Sequence, residues 1–373
     1  MKRNAVTLAN WQAPRYMPWS YRHMRELVPT ARIGRSASPS ALVRARTVRS
    51  GLAAAQLLAD DNTDGVIVVH EGEVLLEQYR RGMQADDVHL LQSVSKSITG
   101  VLTGVLIDQG MLSPDDLVTF HVPELSGSSF DGATVRHLLD MRAGTRFDET
   151  YANPASDLRA SEAQFGWAPG PRPAADAIAY LSALENHRPH GGRFEYRSIL
   201  TDVLGLVLER AADAPFAKTL GRALWGPMGA ETDAHITVDA NGFAVADGGI
   251  SVCLRDLARF GRMVLDGGIV DGRRVVPGEW LDDALHGGPD SAAAFAQDEH
   301  SAELPGGHYR SQWWVPAEHQ TFIGLGIHGQ FLFADRASAV VIAVVSTWPT
   351  SLDPDRHQRA IDAFWETARQ VAA

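Results

Sequence analysis

The arrangement of strand-forming and helix-forming segments along the chain most constrains the fold. Near the start, two β-rich runs flank a turn at 70–73 and predict a hairpin. Late in the chain, three further strands and a closing helix are predicted over 309–316, 321–335, 338–348 and 354–372. Strands at both ends with helices between them indicate one α/β domain that is built from both termini and carries a helical insertion.

The middle of the chain has apolar residues at helical spacing in several windows. The clearest is 93–110, where Gly110 is a plausible stop signal. Helices are also predicted over 51–60, 133–141, 174–185, 199–212 and 254–266. Residues 1 to about 50 show no clear period, and we interpret them as an arm packed on the main body. The prediction is therefore a discontinuous α/β domain of 1–115 and 240–373, with a mainly helical insertion domain at 116–239.

Composition excludes several classes of function. The formal net charge of −11 argues against a nucleic-acid binder, which usually has a basic surface. Cys253 is the single cysteine, so no intrachain disulfide can form, and we interpret it as a buried structural thiol. The first 20 residues contain no apolar stretch typical of a secretion signal, and the apolar run at 339–345 is too short to span a bilayer. We expect a cytoplasmic protein that acts without a membrane.

The sequence Ser93-Val94-Ser95-Lys96 opens the predicted helix at 93–110. A serine and a lysine three positions apart share one face of a helix. A hydroxyl becomes a good nucleophile when a base accepts its proton, and a lysine can be that base if burial lowers its pKa. The helix N-terminus would also favour a developing oxyanion. The alternative is that Ser93 caps the helix while Lys96 lies on its solvent face.

Two later segments give this pair a context. Tyr196-Arg197-Ser198 precedes a long apolar helix, and GLGIHGQ at 324–330 precedes the predicted strand FLFAD. Glycines in such a strand allow its edge to approach a substrate closely. With the serine–lysine pair, these segments resemble the three active-site elements of class C β-lactamases, penicillin-binding proteins and their esterase relatives.

That resemblance implies roles for individual residues. Tyr196 would lie near Ser93 and Lys96 and carry the proton to the leaving group. The backbone N–H of Ile327 would complete an oxyanion hole with that of Ser93, and Gly329 or Gln330 would do so in another register. The third element lacks the Lys-Thr-Gly of many relatives. Its lysine helps to bind the carboxylate of β-lactams and cell-wall peptides, so its absence argues against those substrates.

The likeness extends over almost the whole chain. Segments such as NAVTLANWQAP, QSVSKS, FDETYANPAS, YRSILTDVLGLVLER and DLARFG together resemble the 6-aminohexanoate-dimer (nylon-oligomer) hydrolase group. That group is similar to class C β-lactamases and family VIII carboxylesterases. The resemblance implies an α+β fold, with an antiparallel sheet flanked by helices and a mainly helical second subdomain. It also implies hydrolysis of linear amides or short esters, no cofactor or metal, and an option of homodimers.

Several positions would shape the substrate site according to the same likeness. Tyr151 matches a loop tyrosine that closes over the substrate, and Glu162 matches an acidic position facing the substrate's amino end. Trp167 is a candidate for the wall of the acyl pocket, and Asp247 is a weaker candidate for the pocket wall. We also place the third-element residues His328, Gly329 and Gln330 at the substrate.

Rival interpretations keep the fold and change the activity. A carboxylesterase, transacylase or residual β-lactamase would use the same acyl-enzyme chemistry. A non-catalytic acyl-binding or sensor protein is a rival from another class, although such a protein need not keep Ser93, Lys96 and Tyr196 together. The sequence contains neither H-E-x-x-H nor G-x-S-x-G, so it offers no motif for a zinc site or for an α/β-hydrolase triad.

Overall fold

The structure is a computed structural model that describes residues 5–46, 51–317 and 319–372. Its strands are β1 (Thr30–Ile33), β2 (Val43–Arg44), β3 (Thr63–His70), β4 (Glu73–Tyr79), β5 (Val88–Leu90), β6 (Ala234–Thr237), β7 (Ile250–Cys253), β8 (Ile269–Val270), β9 (Arg273–Arg274), β10 (His308–Arg310), β11 (Trp313–Val315), β12 (Thr321–Gly326), β13 (Gln330–Asp335) and β14 (Val340–Ser346).

The described residues form twelve α-helical segments. One precedes β1 in the sequence, one follows β14, and the other ten lie between strands. They are α1 (Met17–Ser20), α2 (Val94–Asp108), α3 (Val118–His121), α4 (Val135–Leu139), α5 (Asp157–Gln164), α6 (Ala177–Ser182), α7 (Ile199–Ala212), α8 (Phe216–Leu220), α9 (Leu254–Leu265), α10 (Gly278–His286), α11 (Ser291–Phe295) and α12 (Pro354–Ala372). Short 3₁₀ turns occur at Met24–Glu26, Ala53–Ala59, Pro123–Leu125 and Glu299–Ala302, and a π-helical turn at Gly221–Trp225.

The main sheet has eight strands in the order β10-β11-β12-β13-β14-β3-β4-β2. All its neighbouring strands are antiparallel except β2 and β4. The pairing of β14 with β3 joins the two ends of the sequence in the centre of this sheet. A second, four-stranded antiparallel sheet has the order β1-β6-β7-β5.

Helices cover both faces of the main sheet because its side chains alternate between the faces. Phe331 and Phe333 contact Phe364 of α12 on one face. Leu332, between them, points to α9 on the other face. A Cβ at Gly261 of α9 would lie 2.8 Å from its Cδ1 atom, so the glycine lets this helix approach the sheet closely.

Helix α2 is the buried centre of the molecule, and every residue from Val94 to Leu106 is buried. Two glycines bring its surroundings close. A Cβ at Gly100 would lie 2.3 Å from the carbonyl oxygen of Ser311, and one at Gly104 would lie 2.3 Å from the Trp280 ring. Because the helix has no solvent face over its first turns, a charged residue there must find its partners inside the protein.

The structure confirms much of the predicted organisation and corrects part of it. The hairpin at 70–73 and the helices at 93–110, 199–212, 254–266 and 354–372 are present within a few residues. The three predicted late strands are five, because 309–316 and 321–335 each fold into a hairpin of two strands.

The N-terminal arm is less irregular than expected. Within the described part of residues 1–50, which leaves out 1–4 and 47–50, β1 pairs with β6 and β2 pairs with β4. The predicted division into 1–115 with 240–373 and 116–239 stays a prediction. Among the residues placed by the structure, no helix is both long and apolar enough to cross a membrane.

Candidate active site

Ser93 lies at the N-terminus of α2, and Lys96 lies one turn into the helix. The Lys96 Nζ atom donates a hydrogen bond of 2.8 Å to Ser93 Oγ. The Ser93 side chain makes no capping hydrogen bond, and Lys96 is only 1% exposed. The alternative of a capping serine beside a solvated lysine is therefore wrong, and the pair faces inward as one unit.

Three acceptors surround the Lys96 ammonium group. Besides Ser93 Oγ, Nζ donates to Ser198 Oγ at 2.9 Å and to the backbone oxygen of Asp247 at 3.0 Å. Burial acts to lower the pKa of Lys96, but the charges of Tyr196, Asp247 and Glu149 outweigh it, and the pKa is raised. Burial acts in the direction that a lysine base requires, and the neighbouring groups act against it.

Tyr196 lies against both groups, on the segment that leads into α7. Its ring centre is 5.1 Å from Lys96 Nζ, and the ring stacks on Trp314 with centres 5.4 Å apart. Burial raises the pKa of the Tyr196 phenol, while the Lys96 charge and hydrogen bonding to Ser93 and Lys96 act to lower it; the net direction is upward. The phenol and the ammonium group therefore lie close enough for each to influence the protonation of the other.

The β12–β13 hairpin brings Ile327 beside the nucleophile. A Cβ at Gly326 would lie 2.6 Å from the carbonyl oxygen of Leu91, so only glycine allows this close approach to the segment before α2. Ile327 and Ser93 together line both cavities described below. A backbone N–H at this place is suited to an oxyanion, since it would approach the reacting carbonyl from the strand edge.

Glu149 and Ser198 belong to the same cluster, and sequence reasoning did not assign either of them. Glu149 Oε2 accepts the Ser198 N–H at 2.8 Å, and Oε1 accepts the Ser198 hydroxyl in a short contact. Tyr151 Oη also donates to Glu149 Oε1, at 3.3 Å. Glu149 and Ser198 belong to the segments FDETYANPAS and YRSILTDVLGLVLER of the sequence analysis. They are 49 positions apart in the sequence, and only the fold shows that they are in contact.

Ser93 separates two cavities of different character. One is small, about 40 Å³, and its wall includes Trp167, Glu162, Asp202 and Asp247. The other is a wide cleft of about 890 Å³ that opens beyond Tyr196 and Gly329 to the exposed side chain of Leu352. Tyr151 lines both, as expected for a residue that covers the nucleophile.

The charged residues of the small cavity are mostly paired already. Both carboxylate oxygens of Glu162 lie 2.7 Å from Arg159 Nη1, and Gln12 Nε2 donates to one of them at 3.2 Å. Asp202 accepts the Asp247 N–H at 3.0 Å. Burial and the Asp247 charge raise the pKa of Asp202 well above its ordinary value, which favours a neutral carboxyl there.

The N-terminal arm closes the small cavity from behind. Trp11 Nε1 donates to the Trp167 carbonyl at 2.8 Å, and the two indole rings meet edge to face. Tyr21 Oη accepts a hydrogen bond of 2.8 Å from Gln92, the residue before the nucleophile. The arm therefore contributes to the site and does more than cover the body of the protein.

Two of the predicted substrate residues lie elsewhere. His328 is 4% exposed, and its Nδ1 atom pairs with the Trp348 carbonyl oxygen at 2.7 Å. Gln330 is fully buried, and its amide donates to the carbonyl oxygens of Ser346, His328 and Ile327. Neither lines either cavity, so their placement at the substrate is wrong; they hold the turn that carries Ile327 and Gly329.

The comparisons with known proteins agree with this geometry. The profile of the Beta-lactamase family matches residues 44–364. The 6-aminohexanoate-dimer hydrolase of Paenarthrobacter ureafaciens is 39% identical over 364 residues, which cover 96% of this chain and 91% of that protein. A putative 6-aminohexanoate-dimer hydrolase from Bacillus anthracis has the same fold, with a TM-score of 0.88, 23% identity and coverage of 99% of this chain and 98% of that one.

A more distant structure, a family VIII carboxylesterase, superimposes with a TM-score of 0.64 at 17% identity, over 84% of this chain and 95% of that one. The chain belongs to the β-lactamase family, and it is a serine hydrolase of the kind that acts on amides or esters. The α+β fold and the resemblance to the 6-aminohexanoate-dimer hydrolase group are thereby confirmed. The cytoplasmic location and the homodimer stay predictions.

Proposed function

We propose that this protein hydrolyses linear amides of short ω-amino acids, of the 6-aminohexanoate-oligomer kind, through an acyl-Ser93 intermediate. The observation that carries the proposal is the hydrogen bond between Ser93 Oγ and Lys96 Nζ, with Tyr196 against both, at the boundary of two cavities. The relative from Paenarthrobacter ureafaciens, named for such a substrate, supports the choice of amide.

The nucleophile needs a base, and Lys96 cannot be that base while all its protons are in place. With Lys96 as an ammonium and Tyr196 as a phenol, no group of the pair can accept the Ser93 proton. Loss of one proton from the pair creates the base, whether it is written as neutral lysine beside phenol or as ammonium beside phenolate. The active protein is therefore the form in which Lys96 and Tyr196 together hold one proton fewer.

Catalysis then proceeds in two balanced halves. Ser93 Oγ bonds to the carbonyl carbon as its proton passes to the pair, and the backbone N–H groups of Ser93 and Ile327 stabilise the oxyanion. Tyr196 returns that proton to the amide nitrogen as the C–N bond breaks and the amine leaves. A water molecule then gives a proton to the pair as its oxygen bonds to the acyl carbon. The bond between Ser93 Oγ and the acyl carbon breaks, the pair returns that proton to Ser93 Oγ, and the acid leaves.

A linear substrate suits the two cavities on either side of Ser93. We place only the carbonyl end of the acyl portion at the small cavity beside Trp167 and Asp247, and the rest of the linear chain, with the leaving portion, in the wide cleft. In this proposal Tyr151 covers the junction, and its hydroxyl, which donates to Glu149 at 3.3 Å, would turn toward the reacting group when substrate binds. The wide cleft has room for a chain of several bonds, whereas the small cavity holds little more than one water-sized group, about 30 Å³.

That small volume favours a second candidate, a carboxylesterase for short acyl groups. The Glu162 carboxylate is already paired with Arg159, so an ammonium end of the acyl portion would find a partner that is occupied. An uncharged acetyl or propionyl group would enter without this competition. The two candidates share every step up to acyl-Ser93 and differ only in the acyl group that they prefer.

A substrate panel on purified protein tests the proposal. We expect turnover of linear 6-aminohexanoate amides and p-nitrophenyl esters, little or no turnover of nitrocefin, and loss of about 10³-fold or more of all activity in Ser93→Ala. Preference for the amides supports the first candidate, and turnover restricted to short esters supports the second. Activity close to wild type in Ser93→Ala would contradict both.

A further inference from the structure

Glu149 is a carboxylate of the active site for which the proposed acyl-transfer steps have no use. It lies on the loop between α4 and α5, with Tyr151 on its own loop, Lys96 facing it from α2, Tyr196 from the segment before α7, and Asp247 from the loop before β7. It makes no direct hydrogen bond with Lys96. Its influence on that group must pass through space or through a shared neighbour.

Ser198 is that neighbour, and its hydrogen bonds have a fixed direction. A hydroxyl has a single proton. Ser198 Oγ donates this proton to Glu149 Oε1 and accepts one from Lys96 Nζ at 2.9 Å. The chain therefore runs from ammonium to hydroxyl to carboxylate. The ammonium form of Lys96 and the carboxylate form of Glu149 fit this direction, and in those forms the two opposite charges favour each other.

The arrangement opposes the proton loss that creates the base. A negatively charged group that accepts a hydrogen bond stabilises the protonated form of the group that donates it. Each contact that holds the ammonium form of Lys96 makes it harder for Lys96 and Tyr196 to give up one proton together. Burial raises the pKa of Glu149, and the Lys96 charge and the hydrogen bonds from Ser198 lower it in part.

We propose that Glu149, acting through Ser198, is a positioning residue that holds the proton on Lys96 and so sets the pH above which the protein becomes active. The inference rests on the proposed function, because it assigns a control over the same Lys96–Tyr196 pair. It also gives Tyr151 a link to that control, since its hydroxyl donates to the same carboxylate oxygen, at 3.3 Å.

The test is the pH dependence of kcat/KM for a p-nitrophenyl ester in the wild type and in Glu149→Gln. Glutamine keeps an oxygen that can accept from Ser198 and removes the charge. We expect the acid limb of the profile to move to lower pH by about one unit, because a nearby opposite charge shifts a pKa by about one to three units. A role in folding alone would change the height of the profile and leave its limb in place.

A matched control is Glu209→Gln in α7. Glu209 is another partly buried glutamate with a raised pKa, chiefly through burial, and it accepts a backbone N–H, from Phe216 at 2.7 Å. It lies in neither cavity. We expect its acid limb to coincide with that of the wild type. A limb that moves equally in both variants would show a general effect of charge and would overturn the proposal.

Ser198→Ala is the second variant and serves if Glu149→Gln does not fold. It removes the hydroxyl between the two charges, and we expect a shift in the same direction but smaller. If the acid limb does not move in a folded variant while the ester still labels Ser93 normally, the role of Glu149 is refuted. The proposed function would then remain intact. Absence of an acyl adduct on Ser93 in the wild type would instead refute the proposed function itself.

Discussion

The two sides of Ser93 differ in how completely the protein has fixed them. In the small cavity nearly every polar group has a protein partner: Glu162 has Arg159, Asp202 has Asp247, and the Trp167 indole donates to Thr237 at 3.0 Å. In the wide cleft the wall is looser, with Leu352 63% exposed on its rim. The first side is a small cavity whose polar groups are already paired, and the second is a much larger cleft.

This difference predicts how selectivity is divided. A small cavity with paired charges discriminates by volume and by charge, because a misfitting group must displace packed atoms or break existing pairs. An open cleft lets water compete for polar contacts and tolerates many lengths. We therefore expect strict selection of the acyl portion and loose selection of the leaving portion, with Lys96 and Tyr196 serving both from the boundary.

The largest effect is expected at that boundary. Tyr196→Phe removes the hydroxyl that completes the proton-sharing pair but keeps the ring that stacks on Trp314. We expect kcat to fall by about 10²- to 10⁴-fold with KM nearly unchanged, the size typical of a lost general acid–base group. Steady-state kinetics measure this loss.

Tyr309→Phe is the control, because Tyr309 is a buried tyrosine beside Tyr196 whose hydroxyl pairs with Gln312. Its kcat should remain within a few-fold of the wild type. Equal losses in the two variants would mean that packing, and not the Tyr196 hydroxyl, supports the rate.

An intermediate effect is expected from enlarging the small cavity. Trp167→Ala should raise the ratio of activity on hexanoate to activity on acetate p-nitrophenyl esters by about tenfold, since space for one further methylene is worth about that much. Trp365→Ala removes an indole from α12, outside both cavities, and should leave the ratio unchanged. An unchanged ratio in Trp167→Ala would show that acyl groups do not enter there.

The smallest effect is expected from freeing the Glu162 carboxylate. Arg159→Ala removes its partner and should favour acyl groups with an ammonium end over neutral ones by roughly fivefold, the size of a partly exposed ion pair of about 1 kcal/mol. Competition at low salt between an ester whose acyl group ends in an ammonium group and an ester with a neutral acyl group measures this preference. Adding Glu162→Gln to Arg159→Ala should abolish the gain, and a gain that survives would place the ammonium group elsewhere.

Contacts between residues close in the sequence could be predicted, whereas contacts between distant residues could not. Ser93 and Lys96 are one helical turn apart, so their contact is local and can be predicted from the sequence. The family resemblance predicted that Tyr196 lies near them. The sequence analysis did not identify Glu149, because its role depends on its contact with Ser198, and only the tertiary fold brings these two residues together. His328 was misplaced because its positive φ of 61° turns the side chain into the body, a direction that a motif does not reveal.

The late hairpins show the same limit. The β10–β11 turn uses Ser311 and Gln312, both with positive φ, where glycine or asparagine would have signalled a tight turn. The buried Asp140 carboxylate accepts the Ser311 N–H at 3.0 Å, and the Gln312 side chain donates to the carbonyls of Leu138 and Leu139. Contacts from a distant helix therefore support a turn that the local sequence does not specify.

Mass spectrometry of the protein quenched during turnover of p-nitrophenyl acetate tests the central claim most directly. We expect a burst of about one nitrophenol per chain, a mass increase of one acetyl group, and that group on Ser93 after peptide mapping, with none of these in Ser93→Ala. An adduct on another residue such as Ser95, or sustained turnover with Ser93 never acylated, would show that Ser93 is not the nucleophile.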